Sequence, residues 1–125
     1  MIGSTRQVRV FVCERPTDMR KSFNGLYALV TQAMGHDVMA GDLFLFVGKT
    51  RKRAKVLFWD GTGLCLYAKR LEKGRFTAPW AVAKEGGSAA MTVSELSLYL
   101  EGSAWAGKVA LSPAPFQFPA PREAA

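Results

Sequence analysis

Histidine and cysteine are scarce in this chain: one histidine and two cysteines among 125 residues. Two cysteines do not make a disulfide framework. Cys13 and Cys65 both fall in apolar runs that read as strands, so buried, reduced thiols are expected. No apolar run approaches the ~20 residues of a membrane-spanning helix. Met1 to Arg6 has no apolar core, so a secretory signal is not expected. These absences lead to a soluble, cytoplasmic protein as the expectation. Recognisable catalytic patterns are also missing. There is no Cys-x-x-Cys pair, no His-Glu-x-x-His, no Gly-x-Ser-x-Gly and no Walker-type loop. Metal-dependent strand transfer needs converging carboxylates, whereas Asp18, Asp42, Asp60 and Glu72 are scattered over turns and caps. His36 follows a helix C-terminus, where an imidazolium suits the dipole, and reads as a surface residue rather than a base. No catalytic residue, metal ligand or cofactor is expected.

What is present is a globular composition, 49% hydrophobic and 22% charged. A chain of this length buries roughly 60–70% of its unfolded surface and needs no staple. It reads as one domain, residues 1–106, followed by a tail, 107–125, that carries Pro113, Pro115, Pro119 and Pro121.

Val8 to Val12 alternates and reads as a half-buried strand. Thr17 and Asp18 are candidate N-caps for a helix over Met19 to Met34. Its apolar stripe is Phe23, Leu26, Tyr27, Val30 and Met34, and Gly35 is its stop. Leu43 to Val47 is entirely apolar and reads as a buried strand. Ala54 to Trp59 and Leu64 to Leu71 read as two more strands around an Asp60–Gly63 turn. Arg75 to Trp80 is at most a short edge strand, given Pro79. Lys84 to Ala90 reads as a linker. Thr92 and Glu95 then fit a capping box opening a helix that stops at Gly102. The expected fold is α+β: a small antiparallel meander sheet with an N-terminal strand and two helices packed on it.

The charge is uneven. Seventeen Lys and Arg stand against ten Asp and Glu, a net +7, and residues 1–75 hold fourteen of those cations with six anions. Such a field suits a polyanion, an acidic protein or a membrane surface, or serves solubility alone. The cations fall in three clusters. Lys49, Arg51, Lys52, Arg53 and Lys55 occupy a stretch of seven residues on a loop between apolar strands. Such a hairpin tracks a phosphate backbone, or it is a solvated loop that discourages edge pairing. Arg20 and Lys21 fall in the expected first helical turn, where cations oppose the dipole. Either a bound phosphate reverses that penalty, or Asp18 or Glu14 pairs with them. Lys69, Arg70, Lys73 and Arg75 surround Glu72. A two- or four-residue turn puts Arg53 opposite Arg70, a like-charge cost that a polyanion offsets. Phe58, Trp59, Tyr67, Phe76 and Trp80 lie nearby and stack on bases or, the favoured reading, fill the core.

Three segments carry a family resemblance: Pro16 to Leu26, with its Asp18-Met19-Arg20-Lys21; Leu57 to Gly63; and Tyr67 to Phe76, with its Lys69-Arg70-Leu71-Glu72-Lys73-Gly74. Pro79 and the late Leu96 to Gly102 also agree. The chain resembles the TnpB-type, second-reading-frame accessory protein of insertion sequence family 66, unrelated to the RNA-guided nucleases that share the label. The resemblance spans roughly residues 8–105, and the Pro-rich tail departs from it. It implies a bacterial transposition factor acting beside a larger transposase that carries the acidic catalytic residues. The expected partners are then DNA at the transposon ends, and also the cognate transposase and another accessory protein. The expected role is non-catalytic DNA binding through the three clusters. The alternative is an adaptor that binds the transposase or another accessory subunit without direct DNA contact, and a metal-dependent nuclease helper is a more distant third.

Overall fold

The structure is a computed structural model that describes residues 7–82 and 89–102. The Pro-rich tail, its boundary with the domain and part of the expected linker lie outside the described residues.

Five strands form one sheet. In chain order they are β1 (Val10–Val12), β2 (Leu43–Val47), β3 (Arg53–Trp59), β4 (Leu64–Arg70) and β5 (Ala89–Met91), arranged β4-β3-β2-β1-β5. The helices are α1 (Phe23–Ala28), α2 (Pro79–Val82) and α3 (Val93–Leu100). The fold is α+β as expected, but the sheet is mixed rather than a strict meander. β1 runs parallel to β2 with α1 as the crossover, and every other pairing between the five strands is antiparallel. β5 occupies the end of the expected linker and pairs Val10 with Met91. Two alanines, a serine and two glycines in 84–90 gave it no strand signal; its place comes from the open edge of β1.

β2 is apolar throughout because both faces of the sheet are covered. On one face Val10, Val12, Leu43, Leu45, Val47 and Val56 pack with Phe76, Leu96 and Tyr99. On the other, Phe11, Phe44, Phe46 and Leu57 pack with Leu26 and Val30 of the first helix. Residues 75–78 form no strand, and Pro79 opens α2 instead. The segment is held by Phe76, fully buried and stacked on Tyr99 at 5.5 Å.

The first helix starts at Phe23, four residues later than expected, and continues as a π-helix over Leu29–Met34 before Gly35 closes it at φ 70°. Phe23 is 43% exposed and leaves the apolar stripe. Neither candidate cap serves. Thr17 is buried, its N–H donating to Val47 O at 2.9 Å, and Asp18 turns back to accept from Arg20 N–H. Strand pairing at Thr17 therefore outcompetes the helical conformation that residues 17–22 would otherwise adopt. His36 is also not a surface residue: it is half-buried and stacked on Phe11 at 4.0 Å. Cys13 and Cys65 are free thiols, half-buried rather than buried. The capping box of α3 forms as read, with Thr92 Oγ1 accepting from Glu95 N–H and Glu95 accepting from Thr92 N–H.

Candidate nucleic-acid interface

The β3–β4 hairpin sets the site. Asp60 closes it by accepting from the N–H groups of Thr62 and Gly63, each at 2.9 Å, and from the Thr62 hydroxyl. Those bonds hold its carboxyl down at about 2. Burial and the neighbouring Asp60 push the Cys65 thiol up, away from thiolate. The turn fixes the register in which Trp59 faces Leu64, Leu57 faces Leu66 and Arg53 faces Arg70. Two cations therefore meet across the ladder at the open end of the hairpin, a pairing that costs about 0.2–1 kcal/mol.

That end gathers all three clusters. The loop from Gly48 to Lys52 is stitched to the chain after β4. Leu71 N–H donates to Lys52 O at 2.8 Å, and Phe76 N–H to Arg51 O at 2.7 Å. The first and third clusters thus share one patch. Arg51 takes the left-handed conformation at φ 63°, held by its own N–H donating to Gly48 O. Its half-buried guanidinium turns toward Phe76 O at 3.5 Å. Among the described residues Lys49, Lys52, Arg53, Lys73 and Arg75 have no ion-pair partner, and all but Lys52 are exposed. Arg70 pairs with exposed Glu72 at 3.4 Å.

The second cluster is brought in by Lys55. Its ammonium donates to Met19 O at 2.9 Å and to Lys21 O at 2.8 Å. This pins residues 19–21 beside β3 and leaves a hollow of about 360 Å³ bordered by Met19, Arg53, Lys55, Ala68 and Arg70. Gly48 has room only for hydrogen at this junction: a Cβ would lie 2.7 Å from Met19 Cγ. Arg20 and Lys21 precede the helix, so the phosphate site expected from a helix N-terminus does not form. Arg20 makes three side-chain bonds to Asp18, the shortest 2.8 Å, and Asp18 is held well below the usual carboxylate range. Lys21 stays exposed. Lys69 caps the other helical layer, donating to Leu100 O at 2.8 Å.

The expected site residues thus divide. Lys21, Lys49, Lys52, Arg53, Lys73 and Arg75 present charge; Arg20 and Arg70 are ion-paired at the surface; Arg51, Lys55 and Lys69 hold backbone carbonyls. Nothing in the sequence signals the Lys55 bonds, whose partners lie 34 and 36 residues away. Among the expected stacking aromatics Phe76 is core, Phe58, Trp59 and Trp80 pack against it in part, and Tyr67 is 46% exposed.

The carboxylates do not converge. Asp60 and Glu72 flank opposite ends of β4, which at ~3.3 Å per residue separates them by roughly 20 Å or more. Asp42 bonds Arg9 N–H at 3.0 Å, and Asp18 is taken by Arg20. Among the described residues no group of three His, Cys, Asp or Glu is placed to share a metal ion. No helix among them is long and apolar enough to cross a membrane.

A small α+β domain with one basic sheet end is the class of protein these observations define. The family model for IS66 Orf2-like proteins matches residues 8–110. Two relatives in Sinorhizobium fredii (strain NBRC 101917 / NGR234), the uncharacterized proteins y4jC and y4hO, are each 39% identical over 105 residues. That is 84% of this chain and 87% and 89% of theirs. No solved structure matches. The chain belongs to the IS66 Orf2-like family, and is with it a transposition-associated accessory protein.

Proposed function

We propose that the protein binds DNA, without catalysis of its own, through the basic end of the β3–β4 hairpin. The observation that carries this is the convergence there of Lys49, Lys52, Arg53, Lys73 and Arg75, without ion-pair partners among the described residues, around the Arg53–Arg70 juxtaposition. A fold that gathers repelling cations gives up stability that a phosphate backbone restores. The contacts are to phosphates, so they position the protein rather than read bases. DNA at the ends of the insertion sequence is the expected target.

Fluorescence anisotropy on terminal-repeat duplex, with and without the transposase, tests the reading. Neutralising about five phosphates makes log K fall against log salt with a slope near −4 to −5. A flat salt response overturns it.

An adaptor role is the second reading, and the free side of β4 favours it. β4 is a seven-residue strand at the sheet edge, with no further strand on its outer side among the described residues. Its Lys69, the kind of side chain that guards an edge, is folded back onto Leu100. Binding to the transposase in the absence of DNA, unaffected by salt, would support this reading.

A further inference from the structure

β4 ends the sheet, and its outer side has a definite hydrogen-bonding phase. Asp60 N–H donates to Gly63 O at 3.1 Å and Leu71 N–H to Lys52 O at 2.8 Å, at the two ends of one unbroken register with β3. Backbone direction alternates along an antiparallel ladder. Cys65, Tyr67 and Lys69 therefore turn their N–H and C=O groups toward β3, and Leu64, Leu66, Ala68 and Arg70 turn theirs outward. Among the described residues those outward groups have no backbone partner.

Exposed edges are ordinarily blunted by brevity, proline, a bulge or a lysine. The opposite edge, β5, is three residues long. β4 has seven residues, no proline and no bulge, and its lysine is drawn away to Leu100 O. Leu64 to Ala68 are all apolar, and Tyr67 at the centre is 46% exposed. Such a strand is a template for another.

The charges along the strand decide the occupant. Asp60 stands at one end, and Lys69, Arg70 and Lys73 stand at the other. A parallel copy would set Arg70 against Arg70, which costs stability. An antiparallel copy sets each basic end beside the other copy's Asp60 turn. Outward residues pair with outward residues, so full overlap places Leu64 opposite Arg70 and Leu66 opposite Ala68, with the two-fold axis at Tyr67. The two tyrosines then form a non-hydrogen-bonded pair, the closer kind, and aromatic pairs across strands are favourable. The strand is thus complementary to itself in length, apolar pattern and charge.

We propose that β4 pairs with β4 of a second copy, antiparallel about Tyr67, and joins two five-stranded sheets into one. The inference goes beyond the DNA reading and does not rest on it. It gives to a second copy the edge that an adaptor would offer the transposase.

Sedimentation equilibrium of the full chain, from micromolar to millimolar concentration, should show a monomer–dimer equilibrium. Over the same range hydrogen exchange should slow at the amides of Leu64, Leu66, Ala68 and Arg70, while those of Cys65, Tyr67 and Lys69 are protected throughout. Ala68→Pro removes an outward N–H and no bond to β3, so it should raise the dissociation constant about tenfold or more. Ala68→Lys, a charge on the edge, should do the same with every backbone donor kept. In a chain carrying Cys13→Ala and Cys65→Ala, oxidised glutathione should link Tyr67→Cys to its copy and should not link Leu64→Cys. Arg53→Gln should weaken DNA and spare the dimer, so the two readings fail separately.

A chain that stays monomeric at millimolar concentration overturns the proposal. So does a dimer that survives both Ala68 variants, or one linked through Leu64→Cys rather than Tyr67→Cys. Protection of the outward amides that does not change with concentration would assign the edge to another segment of the same chain. Pairing that forms only with the transposase would assign it to that partner, and either result overturns the proposal too.

Discussion

Lysines of one sequence cluster do different work according to what lies within reach. Lys52 and Lys55 are three residues apart, yet Lys55 alone ties β3 to the segment before the first helix. Lys55→Met should cost about 1.5–3 kcal/mol in denaturant unfolding, the range for bonds made by a charged donor, and should weaken DNA binding by releasing residues 19–21. Lys49→Gln, with no partner to lose, should stay within about 0.5 kcal/mol. An equal loss for both would remove the tie from the account. Asp60 gives a pH signature. Its carboxyl lies near 2 in the folded protein, against about 3.9 in an unfolded chain. Its contribution is complete above the unfolded value and is lost as pH falls through the folded one. Carboxyl NMR should find its midpoint near 2; a midpoint near 4 would mean the turn bonds do not form in solution.

Elements show where local pattern and tertiary pairing agree or collide. In α3 they agree: the capping box reads from the sequence and forms, and Tyr99 reaches across to donate its hydroxyl to Thr77 O. Thr92→Ala should cost about 1 kcal/mol. Tyr99→Phe should cost about 0.5–1.5 kcal/mol, from the lost bond with Phe76 stacking kept. The β3–β4 hairpin also reads correctly, because Asp60 and Gly63 specify the turn and the turn specifies the register. Arg53→Thr removes the like-charge pair and adds a β-former. It should raise stability by roughly 0.2–1 kcal/mol while weakening DNA. Loss of stability with DNA binding intact would make Arg53 structural. The first helix is the collision. Its apolar stripe is real at Leu26 and Val30, but its start yields to Thr17 pairing with Gly48 and to the Lys55 bonds.

For the whole molecule, net charge and its concentration in residues 1–75 were plain in composition, as were the α+β class and the buried β2. These rest on local signals: alternation, an unbroken apolar run, turn chemistry and a capping box. The family resemblance was legible for the same reason, in short contiguous segments. That three basic clusters share one end of one sheet was only partly legible. The hairpin register joined two of them, and the third needed a lysine reaching across 34 residues. β5 and the parallel β1–β2 pairing left no local trace. Strand partners are chosen by which edge is open once the core has packed. Sequence alone therefore determined the charge, the hairpin and the class of domain. Tertiary structure decided which cations face solvent and which hold carbonyls, because each depends on contacts between residues far apart in the chain.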